Sequence, residues 1–272
     1  MTDLFDLKDR VAVITGGSGF LGREMSAELA RRGVRVAVLG LHRDRAENTA
    51  RQIVDNGGDA IGIGADVLQK DSLMSARDRI VEHYGRVDIL INGAGGNKPE
   101  ATTADDRSFP DLPDEAMKWV FNLNLLGTVL TCQVFLETMM AGKAGSIINL
   151  SSMAALQPLT RTVAYSAAKA AVSNFTQWLA VHVNQVYTPK IRVNALAPGF
   201  FLTEQNRYLL IDPETGADTE RGSAIKNHTP MGRYGRPEEL LGAVVWLASD
   251  ASSFVNGVVV RVDGGFSAYS GV

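Results

Sequence analysis

Arg10-Val11-Ala12-Val13-Ile14-Thr15-Gly16-Gly17-Ser18-Gly19-Phe20-Leu21-Gly22 is the stretch on which the fold turns, and a helical pattern over 23–32 follows it. The apolar, β-branched run has the character of a buried strand and the glycines that of a tight turn. Strand, glycine turn and helix in this order form the phosphate cradle of a dinucleotide fold. Glycine adopts backbone angles that other residues avoid, and it lets a pyrophosphate approach main-chain N–H groups at a helix N-terminus.

Outward from this stretch the chain alternates short apolar runs with amphipathic segments. The periodicity predicts strands at 10–15, 34–39, 60–64, 87–91, 146–150, 191–196 and 258–262. It predicts helices at 23–32, 43–56, 70–84, 113–140, from Tyr165 to 186, and at 237–249. This is the βαβ rhythm of a sheet buried on both faces. The expectation is a single α/β domain over 1–272, a doubly wound parallel seven-stranded sheet with helices on both faces. Two segments break the rhythm, a proline-marked loop at about 95–114 and an irregular stretch at about 198–230. Both follow the carboxyl ends of strands, where open α/β sheets bind ligands, so they are expected to wall a substrate site.

The 272 residues are 45% hydrophobic and 21% charged, enough for one sizeable core. A formal charge of -3 gives no basic stripe for nucleic acid. The amino-terminal residues are polar and acidic, and no apolar run reaches membrane-spanning length, so a soluble, unexported, cytoplasmic protein without membrane or nucleic-acid partners is expected. The single cysteine, Cys132, lies in an apolar helical pattern and is expected as buried filler. Four scattered histidines lack ligand spacing, and no metal is expected.

Tyr165 and Lys169 stand four residues apart, placing a phenol and an ammonium one turn apart on one helix face. A tyrosine hydroxyl titrates near 10, so acid/base service at neutral pH needs about 4 kcal/mol of preferential phenolate stabilisation. A neighbouring fixed cation has the right sign to supply it. Ser152, at the end of the run 146–150, would reach the same substrate oxygen. Such a pair is by itself commonly a solvated face; the cradle at 10–22 gives it weight.

With these two features the chain resembles the short-chain dehydrogenase/reductase family over nearly its whole length. Further marks appear in order: Asp66-Val67, Asn92-Gly93-Ala94-Gly95, Asn124-Leu125-Leu126-Gly127, Ser151-Ser152, Pro198-Gly199 with Thr203, and Val262-Asp263-Gly264-Gly265. The resemblance implies a Rossmann-type fold, NAD or NADP as cofactor, and a catalytic tetrad of Asn124, Ser152, Tyr165 and Lys169. It implies cofactor contacts from Gly16, Gly19, Leu21, Gly22, Asp66, Val67, Asn92, Ala94, Gly95, Tyr165, Lys169, Pro198, Gly199 and Thr203. Lys169 would bond the nicotinamide ribose, and Asn124 would hold a water that relays protons. Relatives of this kind are commonly homotetramers. One departure stands out: Phe20 occupies the place of the family turn's middle glycine, so the turn is expected to be rebuilt one residue earlier, at Gly19.

The substrate-side segments at 92–97, 165–178, 198–207 and 266–272 resemble the sugar-acid branch of that family, the D-mannonate oxidoreductases or fructuronate reductases. For such a substrate Asn97, Lys98, Arg161, Gln205, Asn206 and Arg207 are the candidate partners of carboxylate and hydroxyls. The alternatives are another substrate (a gluconate-type ketoacid, a polyol or a 3-oxoacyl chain) or a dinucleotide sensor without turnover. Cofactor choice stays open: strand two ends in Gly40, where NAD-selective sites usually carry an acid, and Leu41-His42-Arg43 with Arg45 follows.

Overall fold

The computed structural model describes residues 3–142, 144–203 and 206–271. Seven strands, β1 (Val11–Thr15), β2 (Arg35–Gly40), β3 (Asp59–Gly64), β4 (Ile89–Asn92), β5 (Gly145–Leu150), β6 (Ile191–Pro198) and β7 (Val259–Val262), form one parallel sheet in the order β3-β2-β1-β4-β5-β6-β7. The order reverses direction between β1 and β4, the switch point at which doubly wound sheets open a crevice.

Alternation along the strands explains the two-sided burial. Val11 and Val13 of β1 join a core with Leu73 and Ile80 of α3 (Lys70–Tyr84), Phe135 of α5 (Gly127–Gly142) and Leu179 of α6 (Val163–Val186). Their neighbours Ala12 and Ile14 join the opposite core, with Leu29 of α1 (Phe20–Arg31), Ile53 of α2 (Arg43–Asp55) and Val244 of α9 (Glu238–Ala248). Side chains that alternate across a strand therefore find apolar partners on both faces, as a parallel sheet requires.

Three elements differ from the expectations. The helix foreseen at 113–140 is α4 (Asp114–Phe121), a π-turn (Asn122–Leu126) and α5 in succession. The wide turn closes the Gly127 N–H onto the Asn122 carbonyl, and the extra residue is invisible to a 3.6-residue period. Asp114–Gly142 is long and apolar enough by composition to cross a membrane, against the expectation that no run is. Half of its most apolar window is buried, packed on α3 and on strands β4 and β5. The stretch at 198–230 is not irregular throughout: it holds α7 (Arg207–Leu210) and α8 (Glu220–His228), whose first turn is capped by the Thr219 hydroxyl accepting from the Gly222 N–H at 3.0 Å. Cys132 is buried, and burial pushes its thiol up to about 12.

Candidate functional site

Helix α1 begins at Phe20, three residues earlier than the pattern suggested, with Gly19 as the flanking residue. Phe20 thus sits on the first helical residue, where a side chain is tolerated, and no glycine is needed there. The tight positions are Gly16, at φ +64 with the β4 loop packed where its Cβ would be, and Gly22, whose Cβ would lie 2.1 Å from the Gly16 carbonyl oxygen. Gly19 is less constrained, its Cβ meeting only that oxygen at 3.1 Å. Gly22→Val is therefore expected to spread the turn and weaken dinucleotide binding about 10- to 100-fold, read by titration of cofactor fluorescence. Unchanged affinity would show that the turn is no cradle.

Two adjoining cavities share Gly16, Gly19, Phe20, Ala94 and Gly95. One, of about 820 Å³, runs past Leu41, His42, Arg45, Asp66 and Val67 at the ends of β2 and β3. The other, of about 330 Å³, holds Leu21, Gly22, Ser152, Tyr165, Lys169, Pro198, Gly199 and Thr203. Together they form one cleft over the switch point, joined at a glycine-rich waist where Gly16, Gly19, Phe20, Ala94 and Gly95 line both. That shape and lining fit a dinucleotide whose pyrophosphate crosses the waist.

The catalytic candidates meet at the second cavity. Ser152 flanks a short 3₁₀ turn and its Oγ accepts from the Ala154 N–H at 3.1 Å, which leaves the hydroxyl proton directed elsewhere. Lys169 is 5% exposed, its Nζ donating to the Leu150 carbonyl at 2.7 Å and lying 5.7 Å from the centre of the Tyr165 ring. Burial pulls the Lys169 ammonium down to about 8. The same burial raises the Tyr165 phenol, with the Ser152 hydroxyl pulling it back in part. The expected acidification of the phenol by Lys169 is thus not the dominant effect among the protein's own groups: desolvation outweighs an ammonium turned toward Leu150.

Asn124 sits in the π-turn, fully buried. Its Nδ2 donates to the Gly96 carbonyl at 2.7 Å and the Val120 carbonyl at 2.8 Å, and its Oδ1 accepts from the Gly96 N–H at 3.2 Å. The side chain clamps the loop that forms the waist; both amide hydrogens are committed, and only Oδ1 keeps acceptor capacity for a water.

Several expected contacts lie elsewhere. Asn92 does not reach the cleft: as the last residue of β4 it turns into the core, donating to Asn149 Oδ1 at 2.8 Å and to Cys132 Sγ at 3.1 Å. Of the substrate candidates, Asn206 lines the second cavity and braces its wall, accepting from the Thr203 N–H and donating to the Phe201 carbonyl, each at 2.8 Å. Asn97 is exposed and bonded to Thr102, and the Lys98 ammonium lies over the Trp119 ring at 4.4 Å. Arg207 is exposed, and Gln205 lies outside the described residues. Arg161 lines neither cavity; it is half-exposed and 3.5 Å from Asp105. Phe200 and Phe201, unforeseen, line the second cavity. Their aromatic pair directly after Pro198-Gly199, in a segment already assigned to the site, was the available signal.

The short chain dehydrogenase family model matches residues 10–213. An uncharacterised oxidoreductase of Bacillus subtilis (strain 168), UxuB, is 46% identical over 98% of this chain and 98% of its own length. A solved structure from Haemophilus influenzae, provisionally named a D-mannonate oxidoreductase and holding NAD, superposes with a TM-score of 0.92 at 46% identity, covering 98% of each chain. A gluconate 5-dehydrogenase of Burkholderia cenocepacia J2315, solved with NADP and tartrate, superposes with a TM-score of 0.85 at 32% identity, again over 98% of each chain.

Proposed function

The chain belongs to the short-chain dehydrogenase family of oxidoreductases, and from that premise we propose that it interconverts a secondary alcohol and a ketone on a sugar acid, D-mannonate and D-fructuronate in the first instance. The observation that carries the reading is the convergence of Ser152, Tyr165 and Lys169 on one wall of a cavity whose other wall is the glycine waist. The 46%-identical relatives and the provisional name of one of them support the sugar acid.

Bound NAD or NADP would supply or accept the hydride and, when oxidised, bring a positive charge beside the phenol. The protein's own groups do the rest. Tyr165, kept protonated at neutral pH by burial, donates its proton to the oxygen of a ketone as that oxygen gains charge. Ser152, its Oγ fixed by the Ala154 N–H, donates a hydrogen bond to the same oxygen and stabilises that charge. Lys169, its Nζ now on the Leu150 carbonyl, would hold the cofactor ribose and return a proton to Tyr165. Asn124 positions the Gly96 backbone and offers Oδ1 to a water that would bring the replacement proton in from solvent. Oxidation of the alcohol follows the same path in reverse.

Either cofactor can be accommodated at the end of β2. No carboxylate stands there, since Ser18 Oγ occupies the space a Gly40 side chain would fill. Arg43 is paired with Glu47 at 2.6 Å, whereas Arg45 lines the cleft and faces solvent. The NAD-bound and NADP-bound relatives support one each. We also infer a cytoplasmic homotetramer: Phe135 is core, but Trp178, Val181 and Tyr187 on and just beyond α6 are more than half exposed and offer apolar surface suited to a second copy. Sedimentation at working concentration should give four chains.

Purified protein assayed with D-mannonate, D-fructuronate, gluconate-type ketoacids, polyols and a 3-oxoacyl substrate, each with both cofactors, tests the function. Highest kcat/KM on the mannonate–fructuronate pair is expected. Turnover confined to polyols or acyl chains would replace the substrate, and tight cofactor binding with no turnover on any compound would make the protein a sensor.

A further inference from the structure

Beside the catalytic cavity lies another, of about 380 Å³, between the 157–160 segment, α8, Phe200 and Phe266. Phe200 lines both, and Tyr165, Leu159, Phe200, Ile225 and Phe266 belong to one apolar group, so the two spaces adjoin at Phe200. Arg221, on the first turn of α8, lines this second space. Its guanidinium is half-buried and makes no hydrogen bond or ion pair among the described residues. Arg161 lies near enough that the two like charges disfavour each other. Among the described residues the carboxylate paired with Arg161 is Asp105, at 3.5 Å and 98% exposed, too solvated to neutralise the two cations. In the same lining Gln157 Oε1 is buried without a partner among the described residues.

Two guanidinium groups brought together, one half out of water and the other paired with a solvent-exposed carboxylate at 3.5 Å, are costly unless an anion visits them. The Arg161 backbone adds to that cost, because it holds a left-handed φ of +73, worth about 1 kcal/mol or more for a non-glycine residue. Its carbonyl accepts from the Thr103 N–H at 3.0 Å, which ties the 95–114 loop to the rim. We propose that Arg221 and Arg161 form the carboxylate-recognition subsite for the substrate, with Gln157 bonding an adjacent hydroxyl and Phe200 directing a linear polyhydroxy acid from Arg221 to Tyr165. The proposal deepens the sugar-acid reading and rests on it.

The test compares an acid with its neutral counterpart, D-mannonate with D-mannitol, in the wild type and in Arg221→Met, Arg221→Lys and Arg161→Gly. Arg221→Met should raise KM for D-mannonate about 10- to 100-fold, with kcat and KM for D-mannitol within about threefold of wild type. Arg221→Lys should recover part of the loss. Arg161→Gly suits the left-handed backbone, so it should keep or raise the melting temperature while also raising KM for the acid. If Arg221→Met melts early, Arg221→Lys and Arg161→Gly carry the comparison. Unchanged KM for D-mannonate in the folded variants, or equal shifts for acid and hexitol, would overturn the subsite and leave the sugar-acid reading standing. A wild type that oxidises neutral polyols and no sugar acid would sink that reading first, and the subsite with it.

Discussion

Tyr165→Phe is expected to lower turnover about 10²- to 10⁴-fold while dinucleotide affinity changes by less than about twofold. The ring keeps its packing on the apolar cluster of Met153, Ala154 and Phe266, and only the hydroxyl is lost. Because burial holds that hydroxyl protonated in the resting protein, its removal takes away the proton donor and leaves the cleft's shape intact. A drop of only a few-fold, with cofactor binding unaffected, would exclude the phenol as the acid. The balance of effects on Tyr165 also predicts a direction: reduction, which needs the protonated phenol, should proceed without loss through neutral pH.

Lys169→Met is expected to abolish most activity and, at neutral pH, to stabilise the fold. Burial draws the Lys169 ammonium from its ordinary 10.5 to about 8. A group whose folded value lies below its unfolded one and which carries charge when protonated costs stability at low pH: below about 8 it is charged in both states and the full penalty of about 3 kcal/mol applies. Between about 8 and 10.5 the folded protein sheds the proton and the penalty shrinks; above 10.5 it is gone. Methionine removes the penalty and gives up the bond to the Leu150 carbonyl, worth about 1 kcal/mol, for a net gain of about 2 kcal/mol at pH 7. Denaturant midpoints across the pH range check this. The variant's advantage should fade as pH climbs toward 10.5, and a variant less stable than wild type at pH 7 would show that the ammonium is satisfied where it lies. A stable, inactive variant is the expected signature of a residue kept for function at the expense of the fold.

How much of this was legible in the chain varies with the physics of each element. The β1 run, the glycine turn and α1 declared themselves because strand period, glycine and helix period agree over consecutive residues, and α3 was bounded at Lys70–Tyr84 as the pattern predicts. Tyr165 and Lys169 were legible since helical spacing alone places them on one face. The π-turn around Asn124 was not, because one inserted residue leaves no trace in composition. Helix α8 was hidden by its polar, glycine- and serine-containing sequence, although Thr219 before Glu220, with Lys226 and His228 in the last turn, was a usable pair of end signals. That the Asn92 side chain turns into the core was not legible, because a motif position at a strand's end does not say which sheet face the side chain takes. The substrate wall was least legible: whether Asn206 or Arg207 enters the cavity depends on the loop's path, and loop paths are set by contacts far away in sequence.

The proposed mechanism requires direct hydride transfer at the Tyr165 wall. Its sharpest test uses reduced cofactor with deuterium at both hydrogen positions of the nicotinamide C4, incubated with D-fructuronate, with the product examined by mass spectrometry and NMR. One deuterium on the new carbinol carbon, formed by the wild type and reduced at least about 100-fold in rate by Tyr165→Phe, is the predicted result. Bound cofactor that delivers no deuterium to D-fructuronate or to any other ketone of the panel would contradict it.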